Sequence, residues 1–203
     1  MRQSMAKAAL VKRLLAFIAI GSFFATVEEF LTVVMIRHDL ASYVFTLFIL
    51  FPIFLTFVWS SSHLIDRLVH REAAQELAHF FAYGFVGLLI EWFLIGLAPW
   101  SDPNVNPVVM LVFQLGMFSF WATVAFAPRL FISAKDSSRK TRGAILKFYV
   151  PYFMTVYLIS FLVPEHVKFV VIISLVLFGY LFLNVFYLKY FLRSFSRSAS
   201  LET

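Results

Sequence analysis

The sequence predicts an all-α, polytopic integral membrane protein, a single bundle of six transmembrane helices over residues 1–203 with both termini cytoplasmic. Three observations predict it. Of the 203 residues, 62% are hydrophobic and 14% charged, at a mean hydropathy of +0.87; a soluble domain holds about 45–50% apolar and about 25% charged residues. The apolar residues gather in six runs, each long enough to supply the roughly 20 helical residues that cross a bilayer core of about 30 Å. Lys and Arg fall almost wholly on one side of those runs. This composition leaves too little polar surface to wrap a water-soluble core, and it excludes a disordered chain, a coiled coil and an ordinary cytosolic enzyme. The chain has no cysteine, which removes disulfides, Cys-ligated zinc, iron–sulfur clusters and thiol catalysis. No cofactor is expected.

The predicted spans are 14–36, 43–62, 77–98, 107–132, 145–163 and 167–188, joined by connections too short for a soluble domain. The first follows Arg2, Lys7, Lys12 and Arg13 in the manner of a signal sequence, but it lacks an A-x-A-like site and runs on through Glu28 and Glu29, so a retained anchor helix is expected. The second contains Pro52 and the fifth Pro151, each expected to kink its helix. The third carries Gly84, Gly87 and Glu91, spaced three and four residues apart on one helical stripe. Pro99, Pro103, Pro107, Pro128 and Pro164 sit at or near span ends, where proline stops or starts a helix at little cost.

Fifteen of the seventeen Lys and Arg lie before span one, between spans two and three, between four and five, or after six; only Arg37 and Lys168 lie opposite. The positive-inside rule then places both termini in the cytoplasm of a cell whose inner membrane holds the protein. The net charge of +6 is accordingly a topology signal with a role in anchoring to anionic membrane lipids, and nucleic acid is not an expected partner.

Of eleven acidic residues, eight fall in water-facing segments and Glu28, Glu29 and Glu91 fall within spans. A carboxylate at depth costs about 2.5–3.5 kcal/mol on insertion scales, so such groups face the bundle interior or a watery cavity. Glu28 and Glu91 each lie 14 residues into their outward-running spans, about 21 Å from the cytoplasmic edge at 1.5 Å per residue. Gln114 in span four and Ser174 in span six fall at a comparable depth, so a polar layer across four helices is expected. Ser22, Thr26, Glu29 and Thr32 share a stripe, with Glu28 turned about 100° away. One of the adjacent acids is expected to reach Glu91 while the other meets a different helix. No Lys, Arg or His lies at this depth, and Arg37 is the nearest cation. The options are protonation, a proton shared between carboxyls, or an incoming cation; the alternative is a protonated Glu bonded to a backbone carbonyl or to Gln114, holding helices together.

These residues point first to a cation- or proton-coupled transporter or channel-like protein with Glu28, Glu29, Glu91 and Gln114 as its binding groups. A second reading is an intramembrane enzyme on a lipid or isoprenoid, the same carboxyls acting as general acid and base. A third is a non-catalytic subunit whose acids pair with a membrane partner; a homo-oligomer is also open. Thr26-Val27-Glu28-Glu29-Phe30 is similar to the Glu-Glu element of integral-membrane carotenoid (lycopene) cyclases, which implies acids that protonate a polyene. The likeness covers five residues, lacks that family's preceding proline and has no counterpart in the second half of the chain.

Weaker patterns complete the reading. Glu76-Leu-Ala-His79 has the spacing of carboxylate di-metal bundles, but no second such element is present, and His63, Asp66, His70, Glu72, Glu76 and His79 are expected to form a solvated amphipathic linker. Tyr180, Asn184 and Tyr187 share a face of span six, and span five carries Tyr149, Tyr152, Thr155 and Tyr157; they line a half-path or bond across helices. Trp59, Trp92, Trp100 and Trp121 are read as interfacial, with Trp92 a candidate cation–π wall beside Glu91.

Overall fold

The computed structural model describes residues 2–70, 72–101, 104–133 and 136–199; Pro103, and Arg71, Asp102, Lys135 and Glu202 of the charged residues counted above, lie outside the described residues. The described residues contain helix and no strand. The α-helices are α1 (Arg2–Glu29), α2 (Leu40–Phe45), α3 (Phe51–Leu68), α4 (Glu72–Ile90), α5 (Pro107–Ile132), α6 (Asp136–Ser160) and α7 (Glu165–Ala199). Three wide π-turn segments, Phe30–Val34, Thr46–Leu50 and Glu91–Ile95, extend α1, join α2 to α3 and extend α4. Six continuous helical runs are long and apolar enough to cross a membrane: Lys7–Val34, Leu40–Leu68, Ala74–Ile95, Pro107–Ile132, Thr141–Ser160 and Glu165–Lys189.

The fourth run coincides with its predicted span, because Asn106 caps it by accepting from the Val108 N–H at 2.8 Å and Pro107 is pre-set for a first turn. The third ends at Ile95, short of the predicted residue 98, because Gly96 takes φ +81° and stops the helix in the left-handed conformation. The second starts at Leu40, earlier than expected, because Asp39 caps it: its carboxylate accepts from the Ser42 N–H at 2.9 Å and the Ser42 hydroxyl at 2.5 Å. These bonds hold the Asp39 carboxyl below its usual range. A lowered folded value means that this stabilisation is complete above the ordinary carboxylate range and fades as acid protonates the cap. Asp39→Ala is therefore expected to speed amide exchange over Leu40–Phe45 several-fold at neutral pH, and by less in acid.

The π turns have local causes. Pro52 has no N–H to give, and the chain widens just before it, with the Phe51 N–H bonding the Thr46 carbonyl. The expected disturbance at Pro52 thus takes the form of a wide turn, while α6 continues through Pro151. The other two π turns begin at the acids of the first and third apolar runs: the Met35 N–H reaches the Phe30 carbonyl at 3.0 Å, and the Gly96 N–H bonds the Glu91 carbonyl.

Helix α5 is the centre of the bundle, packed against α1, α4 and α7. Its residues Ser119 to Pro128 are buried without a break. Trp121, 1% exposed, lies 4.7 Å from Phe54 and 5.7 Å from Phe51 between ring centroids. It is a core residue, which corrects the interfacial reading: its position midway along α5 puts it against α3 and α4. The close approach of α4 to α5 depends on two glycines, since a Cβ on Gly87 would lie 2.0 Å from Trp121 Cγ and one on Gly84 would lie 2.5 Å from Phe118 Cε2. Around this core the outer faces carry exposed apolar side chains such as Phe48, Phe93, Leu94 and Leu162.

Candidate functional site

Glu28 and Glu29 are the last α-helical residues before the first π turn, and Glu91 opens the third. All three are buried, at 7%, 8% and 4% exposure. Adjacent residues on a helix point about 100° apart, so burying both Glu28 and Glu29 requires neighbours on two sides of α1. The bundle supplies them. Glu29 feels the charge of Glu91 on the third span and interacts with Tyr43 of the second. Glu28 feels Glu29 and Glu91, and it also interacts with Tyr149 of α6 and Tyr180 of α7.

Few donors reach this group. The Thr32 hydroxyl donates to Glu28 Oε1 at 3.1 Å and to the Glu28 backbone carbonyl at 2.9 Å, bridging the start of the π turn. Trp121 Nε1 donates to Glu91 Oε1 at 2.9 Å. Among the described residues no side chain hydrogen-bonds to Glu29. The nearest cation is Arg37, whose charge reaches all three carboxyls from an exposed position beyond the π turn. The hydroxyls of Tyr149 and Tyr180 both donate to the Phe24 carbonyl, at 3.0 and 2.5 Å, one turn below Glu28. Among the described residues no three His or acidic side chains converge closely enough to hold a metal ion. The cluster is thus three carboxyls, of which Glu28 and Glu91 have separate, neutral donors, an arrangement suited to taking up and releasing a proton.

Gln114 lies elsewhere in the design. Its carbonyl oxygen accepts from Trp92 Nε1 at 2.7 Å, and its amide nitrogen donates to the Leu97 carbonyl at 3.0 Å. It ties the end of the third span to α5, and Trp92 is spent on it. The donor on Glu91 is Trp121, which the sequence placed at an interface; the only available signal was that Gly87, one turn before Glu91, leaves room for a large ring. Ser174 is exposed on the outside of α7, so the expected polar layer does not extend to it. Span six contributes Tyr180 instead.

The tyrosine and asparagine faces bond across helices. Asn184 Nδ2 donates to the Ser119 carbonyl at 2.8 Å, and the Thr123 hydroxyl reaches Asn184 Oδ1 at 3.4 Å, in the middle of the α5–α7 contact. At the opposite end of the bundle His79, 2% exposed, bonds Asp66 Oδ1 through Nε2 at 2.8 Å. Arg129 Nη2 lies 3.5 Å from Glu76 Oε1 and 3.6 Å from Asp66 Oδ1, and the Tyr187 hydroxyl donates to Glu76 Oε2 at 3.0 Å. The solvated-linker expectation fails for His79: Asp66 and His79 clamp α3 to α4, and Glu76 and His79 bond different partners, while His63 and His70 are exposed. Packing of α4 against α3 and α5 buries His79 and leaves Asp66 and Glu76 partly exposed.

Comparison with protein-family models, with curated proteins and with solved structures finds no match to this chain.

Proposed function

We propose that this chain is a multi-pass inner-membrane protein, both termini cytoplasmic, that couples transport to the uptake and release of a proton by Glu28, Glu29 and Glu91. One observation carries the reading: three carboxyls from two spans are buried in mutual electrostatic reach with no buried base among them. Structural glue needs at most one such acid with a satisfied hydrogen bond. Three of them, each raising the cost of ionising the next, form a group whose charge changes with its surroundings. The π turns that begin at these acids add to the case, because wide turns in otherwise α-helical segments concentrate at functional sites. Glu29, with no side-chain donor, is the carboxyl that exchanges the proton; Glu28 and Glu91 set its field. Fifteen of the seventeen basic residues support the orientation.

Melting of the purified protein in detergent, followed across pH and in Na⁺, K⁺ and Mg²⁺, tests this reading. Ionising all three acids sets like charges together in a low-dielectric wall, so wild type is expected to melt lower in alkaline than in acidic buffer. Glu29→Gln and Glu91→Gln remove one charge each and flatten that dependence. Vesicles loaded with a pH-sensitive dye should pass protons with wild type and not with Glu29→Gln. Stabilisation by a metal cation that Glu91→Gln abolishes replaces the proton by that ion. A melting curve indifferent to pH and cations, together with proton-tight vesicles, overturns the proposal.

A further inference from the structure

The charged end of the bundle encloses a second site, away from the carboxyl cluster. A half-open cleft of about 280 Å³ lies between α1, α3, α4 and α5, lined by Phe17, Trp59, Ser62, His63, Glu76 and Arg129. Its cation is incompletely used. Arg129 reaches both Glu76 and Asp66 through the same Nη2, at 3.5 and 3.6 Å, beyond the 2.7–3.2 Å of a good hydrogen bond. Its Nε is buried and has no hydrogen-bond partner among the described residues. Arg129 lines the cleft, and a guanidinium held only by such long contacts can turn to the oxygens of a phosphate.

A simple anion does not fit, because the two carboxylates beside Arg129 leave one negative charge in excess. An ammonium group beside Glu76 offsets the charge that a phosphate brings, so a zwitterion adds no net charge to the site. The opposite wall is apolar, with Phe17 and Trp59 edge to face at 5.2 Å between ring centroids, and it suits the carbon backbone of an amphiphile.

We propose that this cleft binds a phosphoethanolamine group, the phosphate on Arg129 and the ammonium on Glu76, supplied by an aminophospholipid or by the free compound. Trp59 and Phe17 then cover the carbon attached to the phosphate. The site is independent of proton exchange at Glu29.

The test is thermal stabilisation and native mass spectrometry of the delipidated full chain with phosphatidylethanolamine, phosphatidylcholine, phosphatidylglycerol and free phosphoethanolamine. Phosphatidylethanolamine is expected to bind best. Phosphatidylcholine, whose quaternary ammonium donates no hydrogen bond to Glu76, binds less, as does phosphatidylglycerol, which lacks the ammonium. Arg129→Gln removes a charge-assisted pair and should weaken binding about tenfold or more, whereas Glu76→Gln should erase the preference for phosphatidylethanolamine over phosphatidylglycerol. Ser62→Leu narrows the cleft with every charge in place and must also weaken binding, which keeps the proposal testable if Arg129→Gln folds poorly. Equal stabilisation by free phosphoethanolamine and the lipid assigns the ligand to the soluble compound. Equal binding of the three lipids to wild type, or unaltered binding by Ser62→Leu, overturns the proposal.

Discussion

Trp121→Ala is expected to destabilise the protein by about 3–5 kcal/mol, the range for emptying a large aromatic site in a packed core. Trp121 is 1% exposed and touches Phe51, Phe54 and Phe120 with ring centroids at 5.7, 4.7 and 5.4 Å. The loss is largely of van der Waals contact, because the ring is packed on all sides. The indole also holds Glu91 through its N–H at 2.9 Å. Trp121→Phe separates the two roles: it keeps most of the packing and leaves a buried carboxyl without its donor, for about 1–3 kcal/mol. Reversible unfolding in detergent measures both. A double-mutant cycle with Glu91→Gln should be non-additive if the pair interacts as the geometry requires; strict additivity contradicts it.

Gly87→Val has a comparably large expected effect, by the opposite route. The added Cβ would sit 2.0 Å from Trp121 Cγ and 2.1 Å from Trp121 Cβ. Both atoms are close to the α5 backbone and cannot swing aside, so α4 and α5 must separate. Overpacking of a well-filled core costs about 1–3 kcal/mol and occasionally more; two helices forced apart along the most extensive contact of the bundle belong at the upper end. Gly87→Ala should already be harmful. Gly84→Ala should cost less, because its Cβ meets the outer ring atoms of Phe118 at 2.5 Å, and that side chain can turn. Gly143→Ala is the control: nothing lies within 4 Å of the added Cβ, so the substitution should stabilise α6 by the helix preference for alanine, about 0.5–1 kcal/mol. Equal melting temperatures for Gly87→Ala and Gly143→Ala would refute the close α4–α5 approach.

The carboxyl cluster was legible in part. Three acids inside apolar runs were visible at once, because an acid there contradicts its surroundings whatever the fold. That Glu28 and Glu29 face different neighbours followed from the 100° step between them. The donors did not follow. Thr32 shares a stripe with Glu29, yet its hydroxyl bonds Glu28, four residues back, a spacing that helical geometry allows as readily as three. Trp121 lies 30 residues from Glu91, and no spacing within either helix announces their meeting. At the charged end His79 was misread, and the bonds of its neighbours were missed, for a related reason. Asp66, Glu76 and His79 sit among polar neighbours in sequence and look solvated, but they bond across helices to one another, to Arg129 and to Tyr187.

The sequence by itself determined that this chain is all-helical, with six helices long and apolar enough to span a membrane, and that three acids lie within them. Hydropathy, helix length and boundary signals such as Gly96 and Pro107 act over a few residues, so they are written locally. Only the tertiary structure decided that Trp121 serves Glu91, that Gln114 serves the end of the third span, and that Ser174 faces outward while Tyr180 faces in. Those outcomes depend on how each helix is rotated about its axis and which helix lies beside it. Rotation is set by packing across the bundle, where the two glycines of α4 and the rings of α5 fit one another, and no single stretch of sequence carries that information.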